Sequence, residues 1–195
     1  MKNRDFFREY INAFLEENAK INLISKNDKQ FLWEKHICDS LALERFFEKY
    51  QIPKTMLDIG TGGGFPSIPV AIAFPDIKVT AVDSIGKKIR AIDNIKEKLS
   101  IRNLSTICAR VENINNKFDI VTARAVSSLD KICNYALPKL KKGGYFIAFK
   151  SRKAPEEIKD AEPVLKKYSA KIIDIIEYKL PLDEDITRNL IIIQI

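Results

Sequence analysis

The residues best suited to chemistry follow a short apolar run. In Met56-Leu57-Asp58-Ile59-Gly60-Thr61-Gly62-Gly63-Gly64-Phe65-Pro66, an acid is followed by four of the chain's seven glycines within five residues. Glycine costs backbone entropy wherever it sits, so such a cluster marks a backbone that bends sharply or lies close against a ligand. Asp83 ends a second apolar run, with Lys87 and Lys88 just beyond it. Val111 and Glu112 follow a third run, Arg124 ends a fourth and Lys150 a fifth. Carboxylates accept hydrogen bonds from hydroxyls and amides, whereas Arg and Lys hold anions. A metal is not expected. The three cysteines (Cys38, Cys108, Cys133) are widely spaced and form no CxxC, and His36 is the one histidine. That pattern offers neither zinc spacing nor a disulfide framework, and the cysteines read as small interior residues.

Alternating elements must position these groups. Runs rich in β-branched or aromatic residues at Thr55–Ile59, Lys78–Val82, Leu104–Cys108, Phe118–Ala123 and Tyr145–Phe149 read as strands. Amphipathic stretches at 66–74, 86–99 and 127–140 read as the helices between them. Strands alternating with helices imply a mostly parallel sheet with helices on both faces and right-handed crossovers. A charged helix near 155–168 then precedes two runs, Lys171–Leu180 and Ile186–Ile195, joined by Pro181-Leu182-Asp183-Glu184-Asp185. With no helix between them, they should form a C-terminal antiparallel hairpin. Before the first strand, the spacing predicts a helix over 4–18 and a second from Asp28, as N-cap, to about Tyr50. The expected fold is α/β. A helical N-terminal extension (1–53) precedes a Rossmann-like core (54–195), and no internal repeat is present.

Three ligand classes use a glycine turn between a strand and a helix. A P-loop needs GxxxxGK[ST], and no Gly-Lys-Ser or Gly-Lys-Thr occurs. The dinucleotide pattern GxGxxG fails from Gly60, where Phe65 takes the third glycine position; from Gly62 it meets Ser67, a small residue. A nicotinamide dinucleotide is therefore disfavoured rather than eliminated. The third class is S-adenosyl-L-methionine. Asp58 followed by Gly60-Thr61-Gly62-Gly63-Gly64 resembles motif I of the Rossmann-like class I methyltransferases. An acid there suits the ammonium and sulfonium of the methionine end and would repel a dinucleotide phosphate. Asp83, 23 residues past Gly60, stands where an acid accepts hydrogen bonds from ribose hydroxyls, which serves either cofactor, although it could also cap the next helix.

The sequence after the fourth strand, Ala123-Arg124-Ala125-Val126, lacks the Asn/Asp-Pro-Pro-aromatic tetrapeptide of base amino-group methyltransferases. No cysteine follows a proline, as carbon-5 pyrimidine chemistry generally requires. Together with Asn22-Leu23-Ile24, Lys35-His36, Asp39-Ser40-Leu41, Val82-Asp83-Ser84, Arg110-Val111-Glu112, Arg124-Ala125 and Lys142-Gly143-Gly144, the glycine run resembles one family over nearly the whole chain. This is the bacterial small-subunit (16S) ribosomal RNA guanosine-N7 methyltransferases, once named glucose-inhibited division protein B. Ser67 and Ser151 stand where that family usually has glycine. The resemblance implies a pocket in which Gly60, Gly62 and Phe65 meet the cofactor, Asp83 takes its ribose, and Val111 and Glu112 bracket its adenine. It places Arg124 against both cofactor and substrate, and Lys150 near the substrate. Guanine N7 has a free lone pair and no proton to lose. The expected reaction is therefore an in-line displacement without a general base, in which orientation supplies the rate. Asp58 or a nearby carbonyl would balance the moving charge.

Charge agrees with a polyanionic partner. Residues 77–153 hold 17 Lys/Arg against 6 Asp/Glu, a net of +11, whereas the remainder nets −4. A concentrated basic surface attracts nucleic acid. Lys87, Lys88, Arg90, Arg102, Arg110, Lys139, Lys141, Lys142, Arg152 and Lys153 are the candidates for RNA phosphates near the pocket. The expected partner is ribosomal RNA or a ribosomal particle. The charged N-terminus and the absence of a long apolar stretch point to a cytoplasmic protein with no membrane partner, and nothing demands more than a monomer. Two other functions stay open: a class I methyltransferase acting on a small molecule or a protein, and a nicotinamide-dependent oxidoreductase or nucleotide-binding module.

Overall fold

A computed structural model describes residues 3–50, 52–152, 154–182 and 186–195. Seven strands form one sheet in the order β3-β2-β1-β4-β5-β7-β6. They are β1 (Thr55–Ile59), β2 (Lys78–Asp83), β3 (Leu104–Cys108), β4 (Phe118–Arg124), β5 (Leu140–Ser151), β6 (Lys171–Lys179) and β7 (Thr187–Gln194). The first five are parallel. β7 runs antiparallel between β5 and β6, as expected of the hairpin; residues 183–185 of the expected connection lie outside the described residues. The central strands are buried on both faces, which accounts for their near-continuous apolar runs.

Helices cover both faces. α4 (Ser67–Ala73) and α5 (Gly86–Lys98) share one core with α1 (Arg8–Ile21), α2 (Cys38–Leu41) and α3 (Leu43–Lys49) of the N-terminal segment. α6 (Leu129–Ala136) and α7 (Ala154–Lys167) bury their apolar faces in a second core on the opposite side.

The strand register sets the site. Ile59 pairs with Val82 on one side and with Ala123 on the other. The next residues, Gly60, Asp83 and Arg124, therefore emerge side by side. The strand order reverses between β1 and β4, the switch point where open α/β sheets bind ligands.

The N-terminal segment departs from expectation. Instead of one helix from Asp28 to Tyr50, a 3₁₀ turn (Lys29–Phe31) leads into a π-helical stretch (Leu32–Ile37) and then into α2 and α3. The wider π turn places Leu32 and Ile37, five residues apart, in the core together. Asp28 makes no side-chain cap; its carboxylate accepts from Ser25 Oγ at 2.7 Å and from Lys35 Nζ at 3.2 Å. α1 also runs past the expected end at 18, to Ile21, and closes on Asn22 in the left-handed region.

Candidate active site

The loop after β1 is held from below. Asp58 is fully buried and its two oxygens accept from Ser67 Oγ at 2.5 Å and from Thr122 Oγ1 at 2.9 Å. Thr61 Oγ1 lies 2.5 Å from Ser67 Oγ. Burial raises the Asp58 carboxyl to about 6, against the lowering effect of these hydroxyls. Asp58 thus braces the loop from within the core and borders neither of the two cavities that flank it, where the sequence suggested an acid facing a cationic ligand. Ser67, at a position of expected glycine, supplies one of its braces. Gly60, Gly62 and Gly64 have φ of +66°, +60° and +88°, a region that L side chains rarely enter. A Cβ on Gly60 would lie 2.8 Å from Val126 Cγ2, whereas one on Gly62 would meet nothing closer than the Gly60 carbonyl at 3.8 Å.

Two cavities, of about 780 and 470 Å³, flank this loop and share Gly60, Lys88, Ala125 and Val126. The smaller one is lined by Asp83, Val111 and Glu112, with Ile59, Val82 and Tyr135. Asp83 accepts from the Gly62 amide at 3.0 Å and the Ile85 amide at 2.9 Å, and pairs with Lys88 at 3.7 Å. It makes an Asx turn rather than a helix cap, since α5 has no side-chain cap. A carboxylate offers about four lone-pair positions, so these bonds leave room for ribose hydroxyls. Bare backbone at Gly60 and Gly62, an acid at Asp83 and an apolar wall at Val111 fit a nucleoside linked to an amino acid.

The larger cavity is lined by Gly62, Phe65, His36, Arg124, Lys150 and Arg188, among others. Arg124 is held on several sides. Its Nη1 donates to Asp39 Oδ2 at 2.8 Å and to the Lys35 carbonyl at 3.4 Å, and its Nη2 lies 3.2 Å from His36 Nδ1. Its Cζ sits 5.1 Å from the centre of the Phe65 ring, a cation–π arrangement. Phe65 in turn packs against Tyr10, Phe14 and His36. Burial and the Arg124 cation push His36 down to about 4. The imidazole is neutral at physiological pH, and its Nδ1 is free to accept from Arg124.

Of the expected site residues, Gly60, Gly62, Phe65, Asp83, Lys88, Val111, Glu112, Arg124 and Lys150 all border one cavity or the other. Lys87 is exposed on α5 and lines neither. Lys150 is committed within the protein. It donates to Glu157 Oε2 at 2.6 Å and to the Ser127 carbonyl at 2.7 Å, and the same Glu157 oxygen accepts the Leu129 amide at 2.8 Å. Several basic residues expected to be free near the pocket are engaged within the protein or lie elsewhere. Lys139 donates to the Glu112 and Ile114 carbonyls, and Lys141 pairs with Asp119. Lys141 and Lys142 begin β5, the end of the strand opposite the cavities. Lys153 lies outside the described residues. Sequence reasoning missed Asp39 and Tyr178 as partners in the site; Tyr178 Oη donates to Asp39 Oδ1 at 2.6 Å. It also missed Arg188, a cavity-lining cation with no ion pair among the described residues.

This sheet order, glycine loop and switch-point groove define the Rossmann-like fold of class I methyltransferases. An N-methyltransferase from Bradyrhizobium japonicum solved with S-adenosyl-L-homocysteine shares the fold at a TM-score of 0.62 and 14% identity, over 94% of this chain and 98% of that one. TrmN from Thermus thermophilus superposes at 0.63 and 17% identity, over 80% of this chain and 47% of that one. Residues 3–185 match the family described as rRNA small subunit methyltransferase G, and the chain belongs to that family. The ribosomal RNA small subunit methyltransferase G of Staphylococcus saprophyticus is 39% identical over 98% of this chain and 82% of its own length. That of Lachnoclostridium phytofermentans is 38% identical over 96% and 79%.

Proposed function

We propose that this chain transfers a methyl group from S-adenosyl-L-methionine to N7 of a guanine in small-subunit (16S) ribosomal RNA. The observation that carries the reading is the register of β1, β2 and β4, which brings Gly60, Asp83 and Arg124 out together at the switch point. Family membership supports the RNA substrate. Asp83 takes the ribose hydroxyls, Val111 and Glu112 the adenine, and the Gly60–Gly62 backbone and Phe65 the amino-acid end. The cofactor supplies an electrophilic methyl carbon on a sulfonium. The purine N7 loses no proton, so the side chains have to bind and orient it rather than accept a proton. His36 fits that requirement, being neutral and engaged with Arg124.

Arg124 stands where cofactor and guanine would meet and is the positioning cation. Lys88 borders both cavities and serves either ligand; Lys87 meets RNA outside the groove. Lys150 shapes the substrate side through Glu157, and Arg188 is the cation there without an ion pair among the described residues. Residues 1–53 form an extension, whose Leu23 to Asp39 stretch helps to close the larger cavity, on a Rossmann-like core at 54–195. The protein works as a cytoplasmic monomer on RNA or a ribosomal particle; no helix among the described residues is long and apolar enough to cross a membrane.

Ligand-dependent melting tests the cofactor. A tight ligand at a hundred times its Kd stabilises by about 2.7 kcal/mol, a shift of several degrees. S-adenosylhomocysteine should raise the melting temperature and NAD should not. The reverse result would move the chain to nicotinamide chemistry.

A further inference from the structure

We infer that Asp39 and Tyr178 are positioning residues that hold Arg124 in its working orientation, so that β6, which lines neither cavity, takes part in the active site. This rests on the proposed role of Arg124. An arginine at a strand end has a long side chain with much rotamer freedom to lose. Here that freedom is removed by groups from distant parts of the chain. Asp39, in the N-terminal segment, gives one oxygen to Arg124 and the other to Tyr178, at 2.8 and 2.6 Å. Asp39 and Tyr178 are each only 5% exposed, so water does not compete for these bonds. Burial and the Asp39 carboxylate push the Tyr178 phenol far above its ordinary range, which keeps it a donor.

Tyr178 is the one buried residue of β6; every other position on that edge strand is exposed or half-buried. On the same strand Ile176 packs against the core, and the Tyr178 hydroxyl ends on the carboxylate that grips Arg124. Without that hydroxyl, Asp39 keeps its ion pair but loses the second point that fixes the plane of its carboxylate. A fork-shaped guanidinium is sensitive to that plane.

The test is a double-mutant cycle read by kinetics and by NMR. Single-turnover methyl transfer to small-subunit RNA is measured for the parent, Tyr178→Phe, Arg124→Lys and the double variant, with S-adenosylmethionine saturating. Tyr178→Phe should lower the rate about tenfold, the effect of losing one hydrogen bond to a charged group. The KM for S-adenosylmethionine should move less than about twofold if this part of the cofactor site is untouched. In the Arg124→Lys background the same change should lower the rate less than about twofold, because the fork it positions is gone. An equal tenfold loss in both backgrounds, or no loss in the parent, overturns the inference. Independently of activity, the Arg124 guanidinium Nη signals, assigned by their absence in Arg124→Lys, should show hindered rotation in the parent and averaged signals in Tyr178→Phe. If the parent methylates no RNA but Tyr178→Phe still releases the rotation, the proposed function falls and the positioning claim stands. Unchanged rotation would sink the positioning claim alone. Asp39→Asn, which keeps the acceptor oxygen and removes the charge, should release the rotation further; a guanidinium still fixed in that variant would also contradict the inference.

Discussion

The two cavities that meet at Gly60 are built in different ways. The smaller is lined by residues between Ile59 and Tyr135, most of them at or just past the ends of neighbouring strands and the rest on α5 and α6. The larger draws on both ends of the chain, from Leu23 to Arg188, and five cations line it. Four of those five are paired with acids: Lys35 with Asp28, Lys88 with Asp83, Arg124 with Asp39, and Lys150 with Glu157. One half is thus a backbone cradle with an acid at its rim, suited to a nucleoside. The other is a surface of restrained positive charge, suited to a polyanion held in one pose. The difference teaches that net charge alone is a poor guide to a substrate surface, because most of the nearest cations are spoken for.

Arg124→Ala should break the contrast most severely, by removing the most heavily restrained cation of the larger cavity. A positioned charge in a dry site is worth about 10² to 10³ in rate. Methyl transfer should fall by that factor, while S-adenosylhomocysteine affinity falls by less than about tenfold; equal losses in both would assign Arg124 to cofactor binding alone. Gly60→Ala attacks the other half. It forces a left-handed alanine and a Cβ 2.8 Å from Val126. Two or three kcal/mol of strain would weaken S-adenosylhomocysteine by about a hundredfold in a binding titration, and unchanged affinity would mean that the loop does not cradle the ligand.

Lys150→Met and Arg188→Ala sharpen the contrast within the larger cavity. Losing Lys150 leaves Glu157 without its cation and should destabilise the protein by about 2 kcal/mol in a denaturant titration. Losing Arg188 should leave stability unchanged, weaken RNA binding severalfold and reduce its salt slope by about one. A reversal of those two phenotypes would exchange their roles.

The smallest expected effect is on acid stability. The folded His36 sits at about 4 against an ordinary 6.5, so the unfolded chain takes up the proton first. Stability is lost as pH falls from 6.5 towards 4. Asp58, raised to about 6, acts in the opposite sense, since its unfavourable contribution appears as pH rises from about 4 to 6. The stability difference between the parent and His36→Gln should therefore shift in favour of the variant below pH 6. A difference that stays flat between pH 7 and 4.5 would mean that His36 is not held neutral.

The cradle was legible because its elements are local: β1 and β3 have the predicted bounds, and the glycine run, Asp83 and Arg124 each stand at a strand end. The larger cavity was less so. That Asp39 would lie 2.8 Å from Arg124, 85 residues away, has no local signature. The apolar spacing after Asp28 could not distinguish a regular helix from the π turn that seats Leu32 and Ile37. Lys150 looked like a free cation because its partner, Glu157, belongs to the next helix. Asp58 looked like a ligand group because its position at a strand end does not reveal that Ser67 and Thr122 would enclose it.

The central claim is tested most directly by nucleoside mass mapping of small-subunit RNA after incubation with the protein and S-adenosylmethionine carrying a labelled methyl group, as naked RNA and as assembled particles. One labelled 7-methylguanosine per RNA is expected in at least one of these substrates, and none with Arg124→Ala over the same time. Label on another atom or base, or no label in either substrate from protein that binds S-adenosylhomocysteine, would contradict it.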